Sequence, residues 1–477
     1  MKNLFKLFFL LPIVIFSGCE KFLDVRPNNT GAINPRTVTD FEEILNNAQL
    51  AEGNYFLADL VSDDVHLTDG IRDKAGNNSY YLNTYMWNDK VWDATDEDLM
   101  YNDTYKYILQ VNIVLDNIMA AIDGSEERKA IAQAQAYIHR AYYYSQLAGI
   151  YGREYNLSTA DQDLSVPLIL HPDANELPER ATVKQVYNQI LSDLKNALEA
   201  KELPDFGVDI LHPGKAAAYA LLARIHLMMG HFDEALLHAE SALSIRDTLL
   251  DYRLFSFVNP SKPALGVKGK LTTLEEQKTN PELLFGKVTM DTEFYNKFTE
   301  NLEISKGLLE LYQPKDLRLA YNFVYTATNQ KAVYPFFSKS NTWYTPFNYS
   351  IGVPEMMLIK AECLARTGRE DEAIAVINHL RKYRFKTVDF MEIQVGVEDP
   401  LKLVFEERRR ELYLKGGLRL FDLKRLNREG KYVTTMERLG GTPQTVIKTL
   451  PALSPRYLMP FAPKLIANNN LIIQNNR

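Results

Sequence analysis

Cysteine is nearly absent: the 477 residues hold two, Cys19 and Cys363. That excludes a disulfide framework, a cysteine-rich zinc module and a Cys-x-x-Cys redox centre. Histidine is also sparse and scattered, with eight residues and no His-Glu-x-x-His pair for a zinc protease. No Gly-x-Ser-x-Gly elbow and no dinucleotide fingerprint occurs. Gly214-Lys215 resembles the end of a phosphate loop, but Asp209 stands where the first glycine belongs and Ala216 replaces the Ser/Thr. We read it as a helix start. Positive charge is in deficit, 54 Lys+Arg against 61 Asp+Glu, for a net charge of -7. Phosphate backbones need a basic face, so nucleic acid is excluded as the main partner. No apolar run reaches the roughly 20 residues that span a bilayer, which excludes a polytopic membrane protein.

Acidic clusters are present, but none has the spacing of a site. Ser62-Asp63-Asp64-Val65-His66-Leu67-Thr68-Asp69 has one histidine and no helical register, so it reads as a solvated acidic loop rather than a metal site. Asp93, Asp96 and Asp98 lack the glycine of a helix-loop-helix calcium loop. Among 61 acids no carboxylate pair stands out for glycosidase chemistry. The reading is no catalytic constellation, no metal and no cofactor.

The composition that remains is that of a packed globular chain, 46% hydrophobic and 24% charged. The N-terminus carries a targeting signal. Lys2 and Lys6 precede a ten-residue apolar run from Leu7 to Phe16, too short to span and right for export. The run ends Ile15-Phe16-Ser17-Gly18-Cys19, which resembles the bacterial lipoprotein signal cut before a lipidated cysteine. Residues 1–18 are therefore expected to be removed and Cys19 acylated, with Ile15 or Phe16 where leucine is usual. The mature chain would carry two lysines fewer and a charge of -9. Such a chain is attached to a membrane, not embedded in it.

Helical patterning dominates the rest. Thr37 to Ala48, Asp98 to Ile122, Ser125 to Ile150 and Thr182 to Ala200 each combine a polar cap with apolar residues at helical spacing. The strongest repeat lies at 214–244, where Ala223, Gly230, Ala235 and Ala242 fall at tetratricopeptide intervals. A second copy covers 354–381 through Ala361, Leu364, Gly368, Ala373 and Leu380, and a third, interrupted copy lies near 98–200. Cys363 falls within this pattern as a small buried apolar residue. Long polar segments at 53–97, 153–180, 251–300, 320–350 and 430–460 lie between, and 319–325 alternates like a short strand. No composition break divides the chain. The expected fold is mainly α: a single domain over 19–477 on a tetratricopeptide-like scaffold, with long loop insertions, a few short strands and C-terminal helices over 398–428.

Five segments resemble the SusD/RagB family of outer-membrane lipoproteins from Bacteroidetes. They are Cys19-Glu20-Lys21-Phe22-Leu23-Asp24 with Pro27; Glu179-Arg180-Ala181-Thr182-Val183 with Val186-Tyr187 and Asp193-Leu194; the repeat block 214–243; Glu406 to Leu412 with Gly417 and Arg419 to Arg425; and Met459-Pro460-Phe461-Ala462 to Gln474-Asn475. Phe461-Ala462 and Asn469 depart from the family's usual Ile-Pro and Pro. The resemblance implies a non-enzymatic, lipid-anchored protein at the cell surface. It would lie over a SusC-like, TonB-dependent channel, capture oligosaccharides and pass them inward. A peptide-capturing or transporter-bracing role is the alternative, with a surface glycosidase behind it.

The arginine-rich block reads as structure. Glu407, Arg410 and Glu411 fall at i, i+3 and i+4, a spacing that suits a buried salt-bridge network. For the ligand we look to tryptophan and tyrosine, whose rings suit the apolar faces of sugars, beside Asn and Asp for the hydroxyls. All three tryptophans fall in loop-like segments, and the 27 tyrosines exceed what a core needs. Trp92 reads as helix packing. The candidate contacts are Trp87, Asn88, Asp89, Trp343 and Tyr344, with Tyr81 as a weaker member.

Overall fold

The computed structural model describes residues 35–74, 79–173, 177–269, 271, 276, 278–289, 301–324, 336–337 and 349–477. Cys19, Trp343 and Tyr344 lie outside these residues.

Numbering only helices of eight or more residues, the described chain begins with α1 (Val38–Leu45). Here Thr37 and Asp40 close a capping box. Then come α2 (Leu99–Asn117), capped by Asp98, and α3 (Glu126–Tyr151), capped by Ser125. The Thr182–Gln185 box starts α4 (Val183–Glu199). Next, α5 (Lys215–Met229) starts after Gly214 and ends at Gly230, whose φ of +84° closes the helix as a left-handed cap. A one-residue turn then leads into α6 (Phe232–Ile245). Two more pairs follow: α7 (Val353–Arg366) with α8 (Glu370–Lys382), and α9 (Pro400–Glu411) with α10 (Leu418–Glu429). From α2 to α8 each helix packs on the next in sequence, and α7 also packs on α9. That is the serial stacking of a helical-repeat array. Small residues allow it: Ala216, Ala217, Ala220 and Ala223 on α5 and Ala235, Ala239 and Ala242 on α6 are all fully buried. Cys363 is buried on α7, and burial pushes its thiol up to about 12.

Among the described residues the strands are short. One four-stranded antiparallel sheet runs in the order 323–324, 336–337, 302–304, 65–67. A hairpin pairs 436–440 with 445–450 and bulges between Arg438 and Leu439. The expectation of strand across 319–325 is corrected. Residues 317–322 are helical because Asp316 caps that turn and pairs with Arg318, and strand begins at 323–324.

The arginine block forms the buried network expected of it. Arg318 pairs with Asp316, Glu407 and Glu411, each at 2.7 Å. Arg384 joins Glu411 to Glu282, while Arg425 joins Glu362 on α7 to Asp422 on α10. These bonds tie the C-terminal helices to the repeats. The acidic segment at 62–69 is neither a metal site nor a solvated loop. Asp63 takes a two-point contact from Arg419 at 2.7 and 3.0 Å, and Asp64 binds Arg409 at 2.6 Å. Burial opposes its charge, but Arg409 and Arg419 hold the Asp63 carboxyl well below the usual range.

Among the described residues many of the tyrosines belong to the core. Tyr55, Tyr85, Tyr142, Tyr143, Tyr144 and Tyr151 are fully buried. Their hydroxyls make this affordable: Tyr142 donates to Tyr349 O, Tyr143 to Leu50 O and Tyr144 to Ile169 O.

Candidate ligand-binding surface

A short helix, 80–85, capped by Ser79, delivers the chain to a turn at 87–89. Trp87 sits there at φ +50°, an outlier for a bulky residue. The core enforces it. The Trp87 indole is 0% exposed and donates from Nε1 to Val61 O at 2.9 Å. The Arg438 guanidinium covers its ring at 4.1 Å and the Tyr85 ring at 4.0 Å. The same guanidinium donates to Tyr85 O, Ser62 O and Leu60 O. Burial lowers Arg438 to about 10. Tyr81 is likewise buried, and Trp92 is fixed by donating to Pro460 O. The expectation that Trp87 and Tyr81 stack on a ligand is therefore corrected, since neither presents a ring face to solvent. Trp87 is an anchor.

What it anchors does reach the surface. Asn88 is half-buried, donates to Asn83 Oδ1 at 3.0 Å and accepts from Lys448 Nζ at 2.8 Å. Asp89 is exposed and accepts from Arg456 Nε at 2.8 Å. The structure thus brings Asn88 and Asp89 together as a polar corner.

An open cleft of about 320 Å³ is lined by Asp63, His66, Lys306, Glu310, Arg409 and Glu437, among others. Strand pairing sets His66 opposite Glu303, with Nε2 and Oε2 3.7 Å apart. Burial first, then Arg72, pushes His66 down to about 4. Burial first, then Asp69, pushes Glu303 up to about 7. Burial thus favours the neutral form of both groups, so the contact is not a full ion pair. The cleft offers donors and acceptors at fixed positions, as recognition of a polyhydroxylated or amide-bearing ligand requires. Among the described residues no group of three or more His, Cys, Asp or Glu could hold a metal ion. Sequence reasoning missed His66 and Glu303 as a pair. The signal available was Glu303 inside an apolar strand, Leu302-Glu303-Ile304, where an acid needs a reason to be buried.

Comparison with known proteins gives this geometry its setting. A family profile described as starch-binding associating with outer membrane matches residues 21–227, and the SusD family profile matches 329–476. The SusD-like protein P2 of Formosa agariphila is 26% identical over 421 residues, 78% of each chain. A SusD superfamily structure from Bacteroides thetaiotaomicron superposes with a TM-score of 0.71 at 22% identity, covering 92% of this chain and 100% of that one. A SusD-like carbohydrate binding protein from Bacteroides vulgatus gives 0.65 at 19% identity, covering 92% and 98%. At these identities the superpositions establish the fold, and the two profiles between them span most of the sequence: the chain belongs to the SusD/RagB family.

Proposed function

We propose that the chain is a cell-surface lipoprotein of the outer membrane, anchored through Cys19, that captures oligosaccharides without hydrolysing them. It would deliver them to a SusC-like, TonB-dependent channel. The observation that carries the reading is the match of both family profiles, one described as starch-binding associating with outer membrane. The polar cleft and the Asn88–Asp89 corner support it, because both present hydrogen-bonding groups. Trp343 and Tyr344 are the aromatic faces proposed to complete the site. Peptide capture or transporter bracing remains the alternative of the same class.

One observation favours a different class. Glu303, buried against the cleft-lining His66 with its carboxyl pushed up to about 7, has the character of a general acid, which a surface glycosidase would use. Calorimetry of the mature lipoprotein in detergent against plant, host and microbial oligosaccharides, with peptides as controls, tests both readings. Saturable glycan binding with no reducing ends released, weakened at least tenfold in Trp343→Ala, is expected. Turnover that disappears in Glu303→Gln would replace capture with hydrolysis. A peptide hit amid silent glycans would move the ligand class.

A further inference from the structure

A column of rings forms where α5 turns into α6. Closure of the helix end builds the turn: the Gly230 N–H donates to Leu227 O at 3.1 Å and the His231 N–H to His226 O at 2.9 Å. That closure folds His231 back beside His226, so their Nδ1 atoms face each other at 3.4 Å. The other rings wedge the pair in place. His238, further along α6, stacks on His226 with 5.4 Å between centroids and 22° between planes. Tyr219 stacks in turn on His238 at 6.0 Å, and Tyr155 meets His231 edge-on at 6.3 Å. His226 and His231 are each half-buried, so solvent reaches the turn.

Two imidazole nitrogens at this separation make a long hydrogen bond, since N–H donors prefer roughly 2.7–3.2 Å to the acceptor. The facing nitrogens cannot both carry protons. The separation is instead the bite of a metal chelate: two nitrogens each about 2.0–2.1 Å from one tetrahedral ion lie about 3.3–3.4 Å apart. Each ring can bear its proton on Nε2 and leave Nδ1 free, the neutral tautomer that binds metal. The local charge suits a cation. Asp233 and Glu234 are exposed in the first turn of α6, and Glu234 follows His231 by three residues, on the same helical face. Arg428 reaches the turn from α10, but it donates to Tyr155 O and Met228 O and pairs with Glu429. Water completes a two-ligand chelate, so no third His, Cys, Asp or Glu is required.

We propose that His226 and His231 form a two-point chelate for a divalent transition-metal ion of the copper, nickel and zinc class. Imidazole nitrogen selects these ions over magnesium and calcium, which take oxygen ligands. The chelate shares no residue with the cleft and stands apart from the capture reading.

Copper(II) is the first probe, because it leads the affinity order for nitrogen ligands. The untagged mature lipoprotein, stripped with EDTA, is titrated by calorimetry with copper(II), zinc, magnesium and calcium. Copper is expected to bind saturably and more tightly than zinc, with magnesium and calcium silent. His226→Gln and His231→Gln should each weaken copper by about tenfold or more, the loss that even an outer-shell partner costs a metal site. Both variants should melt within a few degrees of the parent in EDTA. His171→Gln, at an exposed histidine paired with Asp116, should leave copper binding unchanged. Electron paramagnetic resonance of the frozen copper complex gives a second readout. Two imidazole nitrogens should couple to the metal in the parent and at most one in either variant. Copper binding that is absent, unchanged in both variants, or lost in His171→Gln would overturn the site. Coupling to a single nitrogen in the parent would overturn the chelate.

Discussion

Asp98 illustrates how a single buried group couples packing to pH. It caps α2 by accepting the Tyr101 N–H from Oδ1, and Oδ2 accepts the Tyr151 hydroxyl at 2.5 Å. Burial pushes its carboxyl up from 3.8 to about 6. A folded pKa above the unfolded one means that the native state holds the proton more tightly. The contribution is therefore complete below pH 4 and is lost as pH rises through 6. Two units correspond to at most about 3 kcal/mol. An amide meets both partners without charge: its oxygen accepts from Tyr101, and its nitrogen donates to the Tyr151 oxygen. Asp98→Asn is expected to match the parent near pH 4 and to exceed its stability by about 1–3 kcal/mol at pH 8. Urea unfolding at the two pH values checks this. A variant less stable than the parent at pH 8 would mean that the ionised carboxylate is the form the fold prefers.

Helix ends were legible in the sequence because the signals are local. Thr182 with Gln185, Ser125, Asp98 and Gly230 each specify a cap within a few residues. The destination of a side chain in an irregular segment was not. Trp87 reads as a loop aromatic, yet the chain inverts locally at φ +50° and drives the ring inward onto Arg438, which arrives from a hairpin near the other end of the sequence. Asp64 looks solvated for the same reason, its arginine partner lying 345 residues away. Asn88 and Asp89 did reach the surface, though their basic neighbours could not be read from the segment they sit in. Between elements, long-range charge pairing holds the α9–α10 region to the array, and Glu407 is its centre. Burial would raise its pKa, but Arg318, Arg410 and Arg381 together lower it. Its stabilisation is thus present above the unfolded carboxylate range and lost on acidification. Glu407→Gln strands three buried guanidiniums short of one charge, and a cost of about 3–5 kcal/mol at pH 7 follows. The loss should shrink toward pH 3, where Glu407 is protonated in the unfolded chain while the folded state still holds it ionised. A penalty below about 1 kcal/mol at pH 7 would show that the helices are held by apolar packing alone.

At the scale of the whole molecule, the proposed function poses attachment and capture as separate problems for separate parts of the chain. The described residues contain no helix long and apolar enough to cross a membrane. Cys363 is sealed in α7 with its thiol raised to about 12, so it is unreactive and unavailable for acylation. In the proposed reading anchoring falls to Cys19, and its physics is arithmetic: one acyl chain binds a bilayer marginally, two or more hold it stably. A protein with this net charge gains nothing from an anionic lipid surface, so the acyl chains must supply the whole of the adhesion. Mass spectrometry of the protein purified from membranes is expected to find an N-terminal peptide beginning at Cys19 and carrying at least two fatty acyl chains. Replacing residues 1–19 with a cleaved secretory signal should move the chain to the soluble fraction with an unchanged melting temperature, because the array from α1 onward folds without the anchor. An unacylated mature N-terminus, or continued membrane association of the anchor-free chain at high salt, would place the attachment elsewhere.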